Sequence, residues 1–381
     1  MKIGIVVPHI FMQRDILPSV IFAPAELALG LAAGVQAQGA DVTLFTPGPV
    51  DTAVTNVTGD LSGFKAELAG RGYGYIELLK KHPLVFVSLA RQVQAELIAK
   101  AFAMANSGQL DVVHIYTNEE DIALPFVQLC TKPVVLTHHD PFTLLIRYKH
   151  VFPKYKQLNW ISMSHAQRGS MPSDTNWVGN IYHGLPKDRF ALVTKPGTYI
   201  AYLGRIIEAK GVHLAIAAVK QYNQNATKPI TLRIAGKHYA GHKDDYWREQ
   251  IEPHIDGKTI IYDGFLDTDA KKQSFLGNAA ALLVPSVFEE PFGMVAIEAL
   301  ACGTPVIGLD SGALPELITD GQTGFIAKKG TNDTATATGL AALLGKVHTI
   351  NRQACRNDFE ARFTLERMCA EHLEIYKKLT T

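Results

Sequence analysis

At 381 residues the chain is too long for one ordinary hydrophobic core, and two domains of about 150 to 200 residues each are expected. Hydrophobic residues make up 47% and charged residues 19%, which excludes a disordered chain and points to a globular one. A net charge of +1 argues against nucleic acid as the main partner, while leaving room for a local basic patch.

Taken in order, the pattern predicts a strand at Lys2–Val7, a helix at Ala25–Gln38, a strand at Val42–Thr46 and a helix at Leu89–Ala105. Strands follow at Val112–Tyr116, Val134–Thr137, Ile161–Ser164 and Val178–Tyr182, then at Tyr199–Leu203, Thr231–Ala235, Thr259–Tyr262, Ala281–Val284 and Val306–Leu309. Short apolar, β-branched runs alternating with longer amphipathic segments indicate an α/β fold with parallel sheets. The stretch 184–197 has the Pro, Gly and charge content of a linker. The expected domains are 1–190 and 191–360, followed by an amphipathic segment within 361–381, strongest from Leu365 to Leu379. Cys130, Cys302, Cys355 and Cys369 form neither a C-x-x-C pair nor a zinc-ligand spacing, so reduced thiols and a cytoplasmic protein are expected. The apolar run Ile3 to Val7 stops at Pro8, too short for a signal-peptide core, and no stretch approaches about eighteen apolar residues. A membrane can then be touched at its surface but not crossed.

The richest stretch is 284–306, which reads as strand, turn and helix. Pro285 and Pro291 punctuate the turn, Met294 to Cys302 has helical spacing, Gly303 stops it and Pro305 bars its continuation. Glu290 therefore falls just ahead of a helix N-terminus and Glu298 about one turn inside it. Backbone N–H groups from Phe292 to Val295, with the positive end of the helix dipole, offer a place for a phosphate. Carboxylates beside that place accept hydrogen bonds from sugar hydroxyls, a combination that suits a nucleotide-sugar. The plain alternative makes Glu290 a cap and Glu298 a solvated residue. Its setting in Val-Ala-Ile-Glu-Ala-Leu argues against this, because a solvated face carries more charge.

This stretch resembles the E-x7-E signature of the retaining family 4 glycosyltransferases, with Glu-Pro-Phe-Gly before and Glu-Ala-Leu-Ala-Cys-Gly-Thr-Pro-Val around it. After the strand at Tyr199 comes Gly204-Arg205-Ile-Ile-Glu-Ala-Lys210-Gly211, which resembles the family's G-R-x4-K-G element. A departing nucleoside diphosphate gathers negative charge, and two fixed cations aimed at it stabilise that charge where it develops. Arg offers a fork to phosphate oxygens and Lys a point charge. In Leu136-Thr-His-His-Asp-Pro141, His139 aligns with a histidine that lies over the donor sugar. The stretches 161–168, 177–185 and 310–324 extend the likeness along the chain.

The resemblance implies a GT-B fold: two Rossmann-like domains facing each other across a cleft, with a C-terminal helix crossing back to the first. It implies a retaining, metal-independent transferase acting by front-face attack, with His139, Arg205, Lys210 and Glu290 in the chemistry. Gly204, Glu298, Phe292, Gly293, Met294, Val295, Phe265 and Leu266 would bind the donor. No cofactor is expected, and a UDP-sugar is the favoured donor substrate. No metal site is expected from His138 and Asp140, from Asp267 and Asp269, or from His238 and His242. One departure stands out. The family's glycine-rich loop corresponds here to Phe22-Ala23-Pro24-Ala25-Glu26, and Pro24 lacks an N–H, so Ala23 and Pro24 are assigned to the acceptor side.

The segment 142–156 interleaves aromatic and basic residues, Arg147, Lys149 and Lys154 among them, and Tyr73, Tyr75, Lys80 and Lys81 form a second such group. They suit a sugar, a lipid-linked acceptor or a small molecule, with peripheral contact at the inner membrane surface. Alternatively the segment is an amphipathic helix whose aromatics are core. Two functional alternatives also stay open: a GT-B epimerase or sugar phosphorylase, and a non-catalytic glycan- or nucleotide-binding protein.

Overall fold

A computed structural model describes residues 1–12, 22–116, 120–238 and 244–381 of the chain. It divides into two compact units, Met1–Gly184 joined by Leu365–Thr381, and Leu185–Thr364. The elements of the first stretch are β1 (Lys2–Val6), α1 (Ala23–Ala37), β2 (Asp41–Thr46), β3 (Thr55–Thr58), α2 (Ser62–Arg71), α3 (Tyr75–Lys81) and α4 (Pro83–Asn106). They continue with β4 (Val112–Tyr116), β5 (Val134–Thr137), α5 (Ile146–Val151), β6 (Asn159–Ser162) and β7 (Trp177–Asn180). The second unit holds β8 (Tyr199–Leu203), α6 (Val212–Asn225), β9 (Thr231–Ala235), β10 (Ile260–Gly264), α7 (Asp269–Gly277), β11 (Ala279–Val284) and α8 (Met294–Ala301). It closes with β12 (Val306–Leu309), α9 (Leu314–Leu317), β13 (Gly324–Ala327), α10 (Asp333–Leu344) and α11 (Arg352–Arg362), and α12 (Leu365–Thr380) returns the chain to the first unit.

In the first unit the parallel sheet runs β3-β2-β1-β4-β5-β6-β7. Its central strands are buried on both faces, which is why they read as continuous apolar runs. β3 is absent from the sequence-based reading because Thr-Asn-Val-Thr is a half-buried edge with no apolar run. β6 and β7 each sit earlier than expected: Met163 and Ser164 leave the ladder, and the Met163 N–H donates instead to Gln167 Oε1 at 3.1 Å. α12 packs on α1 so closely that a Cβ on Gly34 would overlap the Cys369 sulfur. From the same helix, Tyr376 Oη lies 2.6 Å from His114 Nδ1, whose other ring nitrogen is 2.8 Å from Thr137 Oγ1.

The second sheet is also parallel, in the order β10-β9-β8-β11-β12-β13. Strand order reverses between β8 and β11, the point at which doubly wound sheets leave a crevice at their carboxyl ends. Ile200, Leu232, Leu283 and Ile307 form its core with the inner faces of α6 and α10. The stretch expected to be a linker is a strap on this unit. Arg356 donates to the carbonyls of Lys187, Phe190 and Ala301 at 2.7, 2.6 and 2.8 Å. Arg352 donates to Val193, Gly277 and Ala279 at 2.5, 2.8 and 2.8 Å. Satisfying carbonyls with buried guanidinium groups fixes a segment that has no regular structure of its own.

Candidate active site

The loops that leave β8 and β11 meet at the strand-order reversal of the second unit. Gly211 has φ of 70°, and a Cβ there would overlap the Pro285 carbonyl oxygen, so only glycine permits the approach. The Ala209 carbonyl then accepts from the Val287 and Phe288 amides, both at 3.1 Å, and from Ser286 Oγ at 3.3 Å. This knot carries Lys210 to Glu290, with which it forms an ion pair, and leaves its ammonium 5.2 Å from the Phe288 ring centre. Glu290 is held from the other side as well. Its carbonyl accepts from the Ala313 amide at 2.9 Å, and Gly312 lies so close that a Cβ would strike its backbone.

Gly293, at φ 114°, turns the chain into α8, so the amides from Gly293 to Val295 lie in a first helical turn that has no intrahelical acceptors. Phe292 is buried beneath them, while Gly293, Met294 and Val295 are partly exposed. Glu298 is one turn further on, buried, with Oε1 3.0 Å from Lys272 Nζ of α7. Gly204 follows β8, its amide donating to the Ala235 carbonyl at 3.1 Å, and Arg205 beside it is exposed. Phe265 is exposed and Leu266 partly so, in the loop between β10 and α7, with Lys237 Nζ 6.0 Å from the Phe265 ring centre. The second unit thus brings Lys210 onto Glu290, sets the α8 amides beside them, and pairs Glu298 with Lys272. Lys272 escapes sequence reasoning: a buried helical glutamate calls for a cation, but nothing in the spacing says which lysine supplies it.

His139, Ala23, Pro24, Arg147 and Lys149 belong to the first unit. His138 and His139 follow β5, and their turn is clamped by Gln167 Nε2, which donates to the His138 and Asp140 carbonyls at 2.7 and 3.3 Å. His138 is core, ringed by Phe142, Tyr148 and Phe152 at 4.6 to 5.0 Å, and burial, helped by Arg147, pushes its pKa down to about 3. His139 stacks on His183 (5.1 Å, 8°) and meets Tyr116 edge-on at 4.4 Å. Burial and then His183 hold it well below the usual histidine range, so it is a neutral imidazole. Its Nε2 is buried without a hydrogen-bond partner among the described residues.

Segment 142–156 departs from the acceptor reading. Phe142, Tyr148 and Phe152 are buried core, with no face to offer a sugar. Arg147 is engaged with Asp121 at 3.5 Å and with Tyr148 Oη at 3.2 Å, whereas Lys149 is exposed. Ala23 begins α1 exposed, and Pro24 is buried in its first turn, where a missing N–H costs nothing. Lys81 pairs with Glu77 at 2.6 Å and covers the Tyr73 ring at 4.5 Å, and Tyr75 packs on Phe64. Asp267 and Asp269 are each engaged by a base: Lys271 at 2.8 Å for Asp267, and both arms of Arg189 at 2.9 Å for Asp269. His238 stacks on Trp247 at 4.2 Å and faces Asp244 at 3.3 Å, and His242 with Gly241 lies outside the described residues.

Known proteins resemble the part of the chain that carries these loops. Residues 186–357 match the family model described as glycosyl transferases group 1. A glycogen synthase of Mycobacterium tuberculosis is 39% identical over 126 residues, 33% of this chain and 29% of that protein. A lipopolysaccharide 1,2-N-acetylglucosaminetransferase of Salmonella typhimurium is 33% identical over 137 residues, 35% of each chain. The chain spans about a third of the length of these two relatives. Among solved structures, a sucrose-phosphate synthase from Thermosynechococcus elongatus aligns with 100% of this chain and 99% of its own, at TM-score 0.72 and 18% identity. HepE from Anabaena, in complex with UDP and glucose, aligns over 100% of both chains at TM-score 0.67 and 16% identity. The chain therefore has the GT-B fold, and its residues 186–357 are similar to the glycosyl transferases group 1.

Proposed function

We propose that the protein is a retaining, metal-independent glycosyltransferase that moves a sugar from a nucleoside-diphosphate sugar to an acceptor hydroxyl. The observation that carries this reading is the Lys210–Glu290 pair knotted beside the open N-terminus of α8. A diphosphate needs cations and oriented amides together, and this corner has both. Arg205 and Lys210 take the diphosphate, the amides of Gly293 to Val295 add to them, and Phe265 and Leu266 flank the base. Glu298 accepts from ribose hydroxyls and Glu290 from the donor sugar. In the reaction the anomeric carbon loses its bond to the diphosphate oxygen and gains one to the acceptor oxygen on the same face. The departing phosphate takes the acceptor's proton, so no protein nucleophile is required. His139, kept neutral by burial, is suited to act as a hydrogen-bonding imidazole and not as a cation. A UDP-sugar is favoured, and the solved neighbour holding UDP and glucose supports that choice.

The test is a panel of nucleotide-sugars scored by thermal stabilisation, since a ligand that binds only the folded state raises its stability. The stabilising donor is then incubated with candidate acceptors after exhaustive chelation. Transfer with retained anomeric configuration is the expected result. An isomerised sugar formed without any acceptor would point to an epimerase, and activity revived only by manganese or magnesium would end the metal-independent reading.

A further inference from the structure

Two neighbouring lysines at the start of α7 go separate ways. Lys271 is exposed and pairs at 2.8 Å with Asp267, four residues back, an ordinary solvated pair. Lys272 is half-buried and reaches across 26 residues of chain to set Nζ 3.0 Å from Glu298 Oε1, on a side chain only 7% exposed. The helix that delivers it is fixed along the same side. Asp269, Lys272, Gln273 and Leu276 recur at the three- and four-residue spacing of one helical face. Asp269 takes both arms of Arg189. Gln273 accepts from the Ala191 amide at 2.6 Å and donates to the Ala191 carbonyl at 2.9 Å. The Leu276 carbonyl accepts from Thr304 Oγ1 at 2.7 Å, just beyond the end of α8. The strap and the chain after α8 thus hold α7 on both sides of Lys272, and a flexible side chain is presented at one place.

We propose that Lys272 is a positioning residue for nucleotide recognition, fixing the Glu298 carboxylate so that the site tells a ribose from a 2′-deoxyribose. The inference rests on the donor reading above, in which Glu298 accepts from ribose hydroxyls. A carboxylate in water turns about its side-chain bonds and is satisfied by solvent, so little is gained when a hydroxyl replaces a water molecule. Glu298, buried and anchored through Oε1, is ordered before a ligand arrives. A sugar that lacks the hydroxyl then shields the charge from water without supplying a donor, and pays for it in affinity. Lys272 touches neither base nor phosphate here and acts through Glu298.

The probes are UDP, ADP and GDP, each with its 2′-deoxy form, and inorganic pyrophosphate, titrated by calorimetry into the full chain. The wild type is expected to favour the ribonucleotide it binds over the 2′-deoxy form by roughly tenfold or more. Lys272→Met should narrow that ratio to about threefold or less by weakening the ribonucleotide, with pyrophosphate affinity unchanged. Lys272→Arg keeps the cation and should keep most of the discrimination. Lys272→Gln keeps a donor without the charge and should narrow the ratio in the same direction, so the inference stays testable if the Met variant does not fold. A pair that only braces the fold would cost ribonucleotide, 2′-deoxy form and pyrophosphate alike, and that result overturns the inference. A ratio unchanged in the Met and Gln variants overturns the role of Lys272 alone, and a wild type that binds no nucleoside diphosphate overturns the donor reading with it.

Discussion

Each glutamate of the candidate donor corner is matched to a lysine of its own, Glu290 to Lys210 and Glu298 to Lys272. A carboxylate this buried stays charged at low cost only with such a partner. On the proposed function, a diphosphate arriving at Lys210 would compete with Glu290 for the same ammonium and free the carboxylate to face the sugar. Replacing Arg205 or Lys210 by Ala should cut turnover by roughly 10²-fold or more; Arg205→Ala should leave the melting temperature little changed, whereas Lys210→Ala should lower it by stranding Glu290. Near wild-type transfer in both variants would remove them from the mechanism. Glu298→Gln should weaken binding of the bare nucleoside diphosphate, while Glu290→Gln should weaken the intact donor and its turnover. Calorimetric titration of both ligands into both variants separates the roles, and equal losses of nucleotide affinity would refute the division. Glu290 and Glu298 are legible in the sequence because prolines and glycines fix where α8 starts and stops. Lys272 and Gln167 are not, since their partners lie 26 and 29 residues away and no local pattern encodes such pairings.

Among the elements, β5 and α12 enclose histidines that burial keeps neutral. The pKa of His138 falls to about 3, that of His183 to about 3 and that of His372 to about 4, burial being the main cause each time. The unfolded chain takes up these protons below about pH 6.5, whereas the folded chain resists until pH 3 to 4. The contribution of these histidines to stability is therefore fully present above about pH 6.5 and is lost as pH falls toward 4, by at most ~1.4 kcal/mol per pH unit for each. Urea midpoints at pH 7, 6, 5 and 4.5 test this, and a flat profile would contradict it. The strap 187–193 offers a second test. Arg356→Ala leaves three carbonyls without their donor, and should destabilise the protein by about 3 kcal/mol or more. The thiols differ in the same way: burial pushes Cys302, Cys355 and Cys369 up to about 12, and Cys130 is the half-buried one. Central strands were readable from their apolar runs, with β4, β5, β8, β9 and β12 matching residue for residue. Among the edge strands β7 and β10 were expected within two residues of their bounds, but β3 was not, because it pairs through its backbone while presenting polar side chains.

At the scale of the molecule, the α/β reading follows from period and composition, but the strap does not. Its Pro, Gly and charged residues look like a tether, and only the buried arginines, more than 150 residues further along the chain, turn it into part of a domain. The first unit is also discontinuous, since α12 is joined to it only after the whole of Leu185–Thr364 has intervened. During synthesis, then, the N-terminal sheet emerges from the ribosome with the α1 surface around Gly30 and Gly34 uncovered, and His114 without Tyr376. The second unit, contiguous in sequence, can close first. Completion of the first unit thus depends on a helix made after the whole second unit, and until then the α1 surface that α12 covers faces solvent.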